Sequence, residues 1–101
     1  MKRFKAYTLE KGLIETNDYS YVIDLTWHRE DGPAYTRYYQ NGNIAHESYW
    51  VIGRRHRLDG PAVISCDETG NIIDEVYYIN DVWYNKDKYH KELLKLKVQS
   101  L

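Results

Sequence analysis

Histidine, arginine and aspartate, three residue types common in catalytic and anion-binding sites, stand together twice in this chain. The two sets have the same spacing and the same glycine and proline: His28, Arg29, Asp31, Gly32 and Pro33, then His56, Arg57, Asp59, Gly60 and Pro61. Such residues could transfer protons or bind an anion. Because the motif is duplicated together with its Gly-Pro corner, we interpret it as structural. Aspartate accepts backbone N–H groups, arginine pairs with a carboxylate, and histidine donates to a carbonyl group across the corner.

Metal binding and cysteine chemistry are alternative uses of these side chains. The motif histidines would need further nitrogen or thiolate ligands, and no Cys-x-x-Cys or His-x-x-x-His spacing supplies them. Cys66 could be a nucleophile with a histidine base, but the neighbouring Asp67 would raise its pKa. The chain also lacks a serine elbow and a phosphate-binding glycine loop. The sequence therefore predicts no enzyme, no metal site and no cofactor.

A group of basic and aromatic residues is the candidate binding site: Tyr49, Trp50, Arg37, Arg54, Arg55 and Arg57. Arginines interleaved with aromatic rings can hold phosphates and stack bases. Alternatively, the arginines lie in a solvated turn and pair with Glu47, Glu75 and Asp59. A formal net charge of -1 gives the whole chain no general attraction to nucleic acid. Tyrosine and tryptophan are also enriched at protein interfaces.

The composition indicates one small β-rich domain over residues 1–101. The length suffices for a single core, and 29% charged residues leave no apolar run of the ~20 residues that span a membrane. The single cysteine and the polar first residues, which lack a secretory signal, predict a reducing cytoplasmic location. The 11 tyrosines and 3 tryptophans favour half-exposed strands or a binding surface.

The duplicated motif belongs to a repeat with a shift of 28 positions. Six of the seven residues from 28 to 34 match those from 56 to 62, and the similarity continues through the following strand region. Residues 19–27 look like the second half of an earlier unit, and the pattern ends after residue 84. We therefore predict about two and a half units over residues 19–85.

Turn residues predict antiparallel hairpins within each unit. Asn41-Gly42 predicts a type I′ turn between strands at 34–39 and 44–51, and its weaker copy Thr69-Gly70 joins strands at 62–66 and 72–79. Residues 3–13 predict an initial strand that ends in a turn. The fold class is therefore mainly β: an antiparallel meander of repeated hairpins.

The period of the chain changes near the end. Asn85 can cap a helix, and Tyr89, Leu93 and Leu96 follow at helical spacing, so residues 86–98 predict a C-terminal capping helix. Its apolar stripe is too narrow for stability in isolation. We expect this helix to pack on the sheet.

The repeat resembles the MORN-type repeat family. The residues that carry the resemblance are Gly-Arg-Arg-His-Arg-Leu-Asp-Gly-Pro-Ala at 53–62 and the preceding Tyr49-Trp50. The closer likeness is to the His-Arg-x-Asp-Gly-Pro-Ala variant of large phages and giant viruses. The resemblance covers residues 19–85, but departs at Ile52-Gly53, where Asn-Gly is usual, and at Asn80-Asp81, which lacks the glycine.

The resemblance implies hairpin ribbons that mediate protein or lipid contacts, and some bacterial members are regarded as antitoxins. Together with the lack of catalytic residues, it predicts a non-enzymatic protein-binding module of phage or viral origin. We expect it to bind a host or viral protein, as an inhibitor of host defence or an antitoxin-like neutraliser, without membrane insertion. The alternative is a nucleic-acid-binding protein that uses the basic residues at 54–57.

Overall fold

Consecutive hairpins build an antiparallel sheet in the computed structural model, which describes residues 2–99. The strands are β1 (Phe4–Thr8), β2 (Gly12–Thr16), β3 (Tyr35–Tyr38), β4 (Ile44–Ser48), β5 (Trp50–Val51), β6 (Arg54–Arg55), β7 (Val63–Cys66), β8 (Ile72–Ile79) and β9 (Val82–Tyr84). Seven of them form one sheet in the order β2-β1-β3-β4-β7-β8-β9, and β5 pairs with β6 in a short separate arm. The predicted mainly β meander is confirmed.

The β3–β4 and β7–β8 hairpins are structural copies. Both contain a register shift at equivalent positions, after Arg37 in the first and after Ser65 in the second. The loop glycines Gly42 and Gly70 both have positive φ, at 93° and 96°. Asn41 does not, so the predicted type I′ turn is wrong there. The backbone N–H of Gly42 donates to the carbonyl of Tyr39 (3.0 Å), three residues earlier. This arrangement is a type I turn followed by a left-handed glycine.

Strand β1 contains the residue that accepts the His28 N–H, a position that the repeat shift had assigned to the segment 19–27. The carbonyl of Tyr7 accepts the N–H of His28 (2.9 Å), as the carbonyl of Tyr49 accepts the N–H of His56 (3.0 Å) in the next unit. The interpretation of residues 19–27 as half a repeat unit holds only at its end, because Trp27 bridges Thr8 as Arg55 pairs with Trp50. Residues 19–23 do not form the expected strand; they begin with the 3-10 helix Tyr19–Tyr21 and pack over the sheet, since β1 already occupies their place.

The main hydrophobic cluster is small and aromatic and includes residues of β1 and β3. Ala6, Val22 and Tyr35 are its buried residues, and the 3-10 helix Tyr19–Tyr21 lies over them. The Trp27 ring stacks on Tyr35 with 4.5 Å between centroids, and its indole N–H donates to the Val22 carbonyl at 2.9 Å. Stacked rings thus do the packing that aliphatic residues do in larger cores.

The C-terminal helix α1 (Lys86–Gln99) packs against β8 and β9, as predicted. The side chain of Asn85 accepts the N–H of Lys88 (2.9 Å), which confirms the predicted N-cap. Tyr89 is 1% exposed, and its hydroxyl donates to the carbonyl of Arg57 (2.6 Å) and accepts the N–H of Gly60 (3.2 Å). Among residues 2–99, no helix has the length and apolar character needed to cross a membrane.

We predict that Tyr89→Phe lowers the free energy of unfolding by about 1–2 kcal/mol, because two backbone groups of the second motif lose a buried partner. Chemical denaturation measures the change. Tyr21→Phe is the matched control, since Tyr21 is 66% exposed and should tolerate the loss of its hydroxyl. Equal stability of the two variants would contradict a docking role for the Tyr89 hydroxyl.

Candidate functional site

The second motif forms its corner around the side chain of Arg57. The guanidinium donates through Nε to Asp59 (2.9 Å) and through Nη1 to the carbonyl of Pro61 (3.0 Å). It lies over the ring of Tyr49, 4.0 Å from the centroid. Gly60 has a φ of 156°, which side chains rarely adopt, and a Cβ there would also stand only 3.0 Å from the guanidinium carbon, so both the backbone conformation and the close approach favour glycine. The predicted Arg57–Asp59 pair is therefore seen in the structure, but among residues 2–99 Asp59 accepts this side-chain bond and not the backbone N–H groups that were predicted for it.

The first motif repeats this arrangement. Arg29 donates to Asp31 (2.9 Å) and to the carbonyl of Pro33 (3.2 Å), and it lies 4.0 Å over the ring of Tyr7. A Cβ on Gly32 would come within 2.9 Å of the guanidinium carbon. The hydrogen bond from Arg29 and its positive charge lower the pKa of the Asp31 carboxyl. The two corners lie side by side, and residues from both line a groove of about 480 Å³.

The motif histidines accept hydrogen bonds, which corrects their predicted role as donors. His56 accepts the backbone N–H of Asn80 at Nδ1 (3.0 Å), and His28 accepts that of Ile52 in the same way (3.0 Å). Acceptance at Nδ1 requires that this nitrogen carries no proton. Burial lowers the pKa of His56, which favours this neutral form.

The turns held by these histidines have the type I′ conformation. Ile52 and Gly53 have φ values of 48° and 72°, and Asn80 and Asp81 have values of 48° and 68°. The second N–H of each turn is also taken by the preceding arm: Gly53 donates to the carbonyl of Trp27 (2.9 Å) and Asp81 to that of Arg55 (2.8 Å). Both turns lack Asn-Gly, and the neighbouring unit supplies the hydrogen bonds that hold them.

Two of the four arginines in the predicted basic cluster, Arg55 and Arg57, are paired with carboxylates. Arg55 bonds to Asp81 (3.0 Å) and lies 4.1 Å over the ring of Tyr78. Asp81 is therefore its partner, rather than the predicted Glu47 or Glu75. The pKa of Asp81 is lowered by hydrogen bonds from the Arg55 backbone and side chain.

Two arginines of the candidate cluster stand apart from these pairs. Arg54 is exposed, and its side chain forms no ion pair with residues 2–99. Arg37 is paired with Phe4 of β1 and with His46 of β4. His46 lies four residues before Trp50, a separation of about 13 Å in an extended chain. The structure does not gather the candidate arginines into one phosphate-binding surface.

Cys66 and His46 are the remaining side chains with potential chemistry. Cys66 is buried, and the pKa of its thiol is raised by burial and by the charges of Glu47 and Asp67. Burial and the charge of Arg37 lower the pKa of His46. Within residues 2–99, no group of three or more histidine, cysteine, aspartate and glutamate side chains could hold a metal ion.

An aromatic pocket opens beside the core on the arm side of the molecule. It has a volume of about 380 Å³ and is lined by Tyr19, Ile23, Leu25, Trp27, Trp50 and Gly53. Two side chains at this end are largely exposed, Ile23 (53%) and Ile52 (64%). Of the predicted binding residues, only Trp50 lines the pocket, because Tyr49 lies beneath Arg57 instead. The aromatic richness of the sequence was the signal for this pocket, but it did not distinguish Trp27 and Tyr19 from the other rings.

Neither a protein-family model nor a curated protein nor a solved structure matches the chain.

We predict that the free energy of unfolding falls as the pH is lowered through about 6.5, the ordinary histidine pKa. His46 and His56 have lowered pKa values when folded, so the unfolded chain takes up protons first and acid favours unfolding. His56→Asn should reduce this dependence, since its side-chain oxygen can accept the Asn80 N–H without titrating. His56→Ala should lower stability at every pH. A pH series of urea denaturation measures both, and an unchanged dependence in His56→Asn would contradict the role of His56.

Arg57→Lys should lower the free energy of unfolding by about 1–2 kcal/mol, because an ammonium group cannot bond two partners while stacking on a ring. The loss comes mainly from the Pro61 carbonyl and the Tyr49 ring, since Asp59 is 87% exposed. Arg54→Lys is the control, with an expected change within about 0.5 kcal/mol. If both variants unfold at the same denaturant concentration, the corner does not depend on the guanidinium.

Proposed function

We propose that this chain is a non-enzymatic protein-binding module that holds an apolar side chain of a partner protein in its aromatic pocket. The observation that carries the proposal is the exposed apolar surface at that pocket: Ile23 lines it together with Trp27 and Trp50, and the exposed Ile52 precedes the lining residue Gly53. Small proteins that leave apolar side chains around an aromatic concavity commonly use them for binding.

The arrangement of charge supports a protein partner over a nucleic acid. Arg55 and Arg57 already pair with carboxylates and lie over rings, so binding a phosphate would require breaking these contacts. Arg54 lies next to the pocket residue Gly53 and carries an exposed charge. It is suited to an acidic residue at the rim of a protein interface.

The repeat resemblance adds the expectation of a phage or viral origin and of a host or viral partner. An inhibitor of host defence and an antitoxin-like neutraliser are both compatible with a small binding surface and no catalytic group. These roles depend on the resemblance, whereas the binding proposal depends on the pocket.

Affinity capture with matched surface variants tests the proposal. Wild-type protein and Leu94→Asp, a change at a 62% exposed helix position, should retain the same partner, and Ile23→Asp should lose it. With the purified partner, Ile23→Asp should weaken binding by about tenfold or more, because a charge enters an apolar contact. Thermal unfolding would verify that both variants fold. Equal binding by both variants would contradict the pocket as the site.

A salt titration with a labelled single-stranded oligonucleotide tests the alternative. We expect weak binding that disappears near physiological salt, since free surface arginines are few. Tight binding at about 0.15 M salt that is lost in Arg54→Glu/Arg55→Glu would overturn the proposal in favour of nucleic acid, because stray attraction is largely screened there.

A further inference from the structure

The sheet ends on an open strand edge within β8. Strand β4 is paired on both sides, with β3 and with β7. Its repeat counterpart, residues 72–76 of β8, pairs with β7 on one side, and β9 covers only residues 77–79 on the other. Among residues 2–99, no strand covers the outer side of residues 72–76.

The repeat explains why this edge is open. The shift of 28 positions would place the next β7-like strand at residues 91–94, and these residues lie in α1. Tyr89 of the helix packs on Tyr77, with 4.7 Å between the two ring centroids. The chain leaves the sheet after Tyr84, the last residue of β9. Residues 72–76 of β8 therefore lack the second neighbouring strand that their counterpart β4 has.

Backbone hydrogen-bonding groups point towards the open side. The carbonyl of Val76 accepts the N–H of Ala62 on the β7 side (2.9 Å), and consecutive residues of a strand direct these groups to opposite sides. The N–H and carbonyl of Glu75 are thus directed outward. Its counterpart Glu47 is opposite Ile64 in the β4–β7 pair, so the same chain shows how such an edge is filled.

A groove of about 570 Å³ follows this edge, between residues 72–77 and the departing chain at 83–86. Ile73 and Trp83, both among its lining residues, are 66% and 61% exposed. Asp74 and Glu75 are adjacent at the centre of the open segment, and Lys86 stands at the end of the groove. The edge therefore combines free backbone groups, apolar side chains and a central negative charge.

We propose that this edge binds an extended segment of a partner protein as an added antiparallel strand, with two adjacent basic residues opposite Asp74 and Glu75 and apolar residues beside them. Strand addition gives affinity through the backbone and specificity through alternate side chains. Opposite charges across a strand pair stabilise it, and like charges destabilise it. A second copy paired through the same edge would place acidic residues opposite acidic residues. Asp74 and Glu75 thus oppose self-association and favour a basic strand.

The probe is a fluorescently labelled peptide of residues 61–66, the chain's own template for this pairing, with Ile64→Lys, Ser65→Lys and Cys66→Val. In the β4–β7 register, positions 64 and 65 face the counterparts of Glu75 and Asp74. Anisotropy should show binding to wild-type protein in preference to the acidic peptide with Ile64→Glu and Ser65→Glu. The protein variant Asp74→Lys/Glu75→Lys should reverse this preference, each change in affinity being about tenfold or more.

Backbone and independence controls complete the test. N-methylation of the peptide at position 64 should abolish binding, because it removes the N–H that faces Glu75. Ile23→Asp should leave peptide binding unchanged, so failure of the pocket and failure of the edge are distinguishable. No binding of either peptide at about 1 mM, or equal binding of both, would overturn the proposal. So would a wild-type dimer in sedimentation that dissociates in Asp74→Lys/Glu75→Lys, since the edge would then serve a second copy.

Discussion

The guanidinium group at each corner is the constraint on which the repeat depends. The side chain of Arg57 contacts a carboxylate, the carbonyl of the proline that precedes β7, and a tyrosine ring. Arg29 makes the same three contacts one unit earlier. A planar fork with fixed donor directions can satisfy these partners together, whereas a flexible ammonium cannot. Because Gly60 leaves room for the guanidinium, the chain can reverse there and begin β7 beside β4. The corner thus determines where each new hairpin starts.

The histidines connect successive units through their turns. The N–H groups at the tip of each arm point back to the preceding unit, where a histidine ring nitrogen and a backbone carbonyl accept them. This support holds Ile52, a β-branched residue, at a positive φ that such residues rarely adopt. It also holds Asn80-Asp81 without a glycine. Stability passes from unit to unit by neighbour contacts, as in other repeat proteins.

A single sheet with a small core leaves much of its surface available for binding. The stacked rings of Trp27 and Tyr35 bury one face near the first strands, while the arm side retains an apolar pocket and the far end retains an unpaired edge. The two surfaces differ in chemistry. In the two proposals, the pocket holds an apolar side chain beside an acidic one, and the edge binds an extended basic strand.

Local patterns in the sequence determined the strands of the two repeated hairpins, the 28-residue shift, the Asn85 cap and the helix with Tyr89 inward, because these depend on near neighbours and on side-chain periodicity. The shared turn function of the duplicated motif was also readable. Tertiary structure alone decided that the histidines accept rather than donate, that Asp81 pairs with Arg55, and that β1 takes the place expected for residues 19–23. These contacts join residues more than 20 positions apart. They form only when one hairpin lies beside the next, so the pocket and the open edge exist only in the assembled sheet.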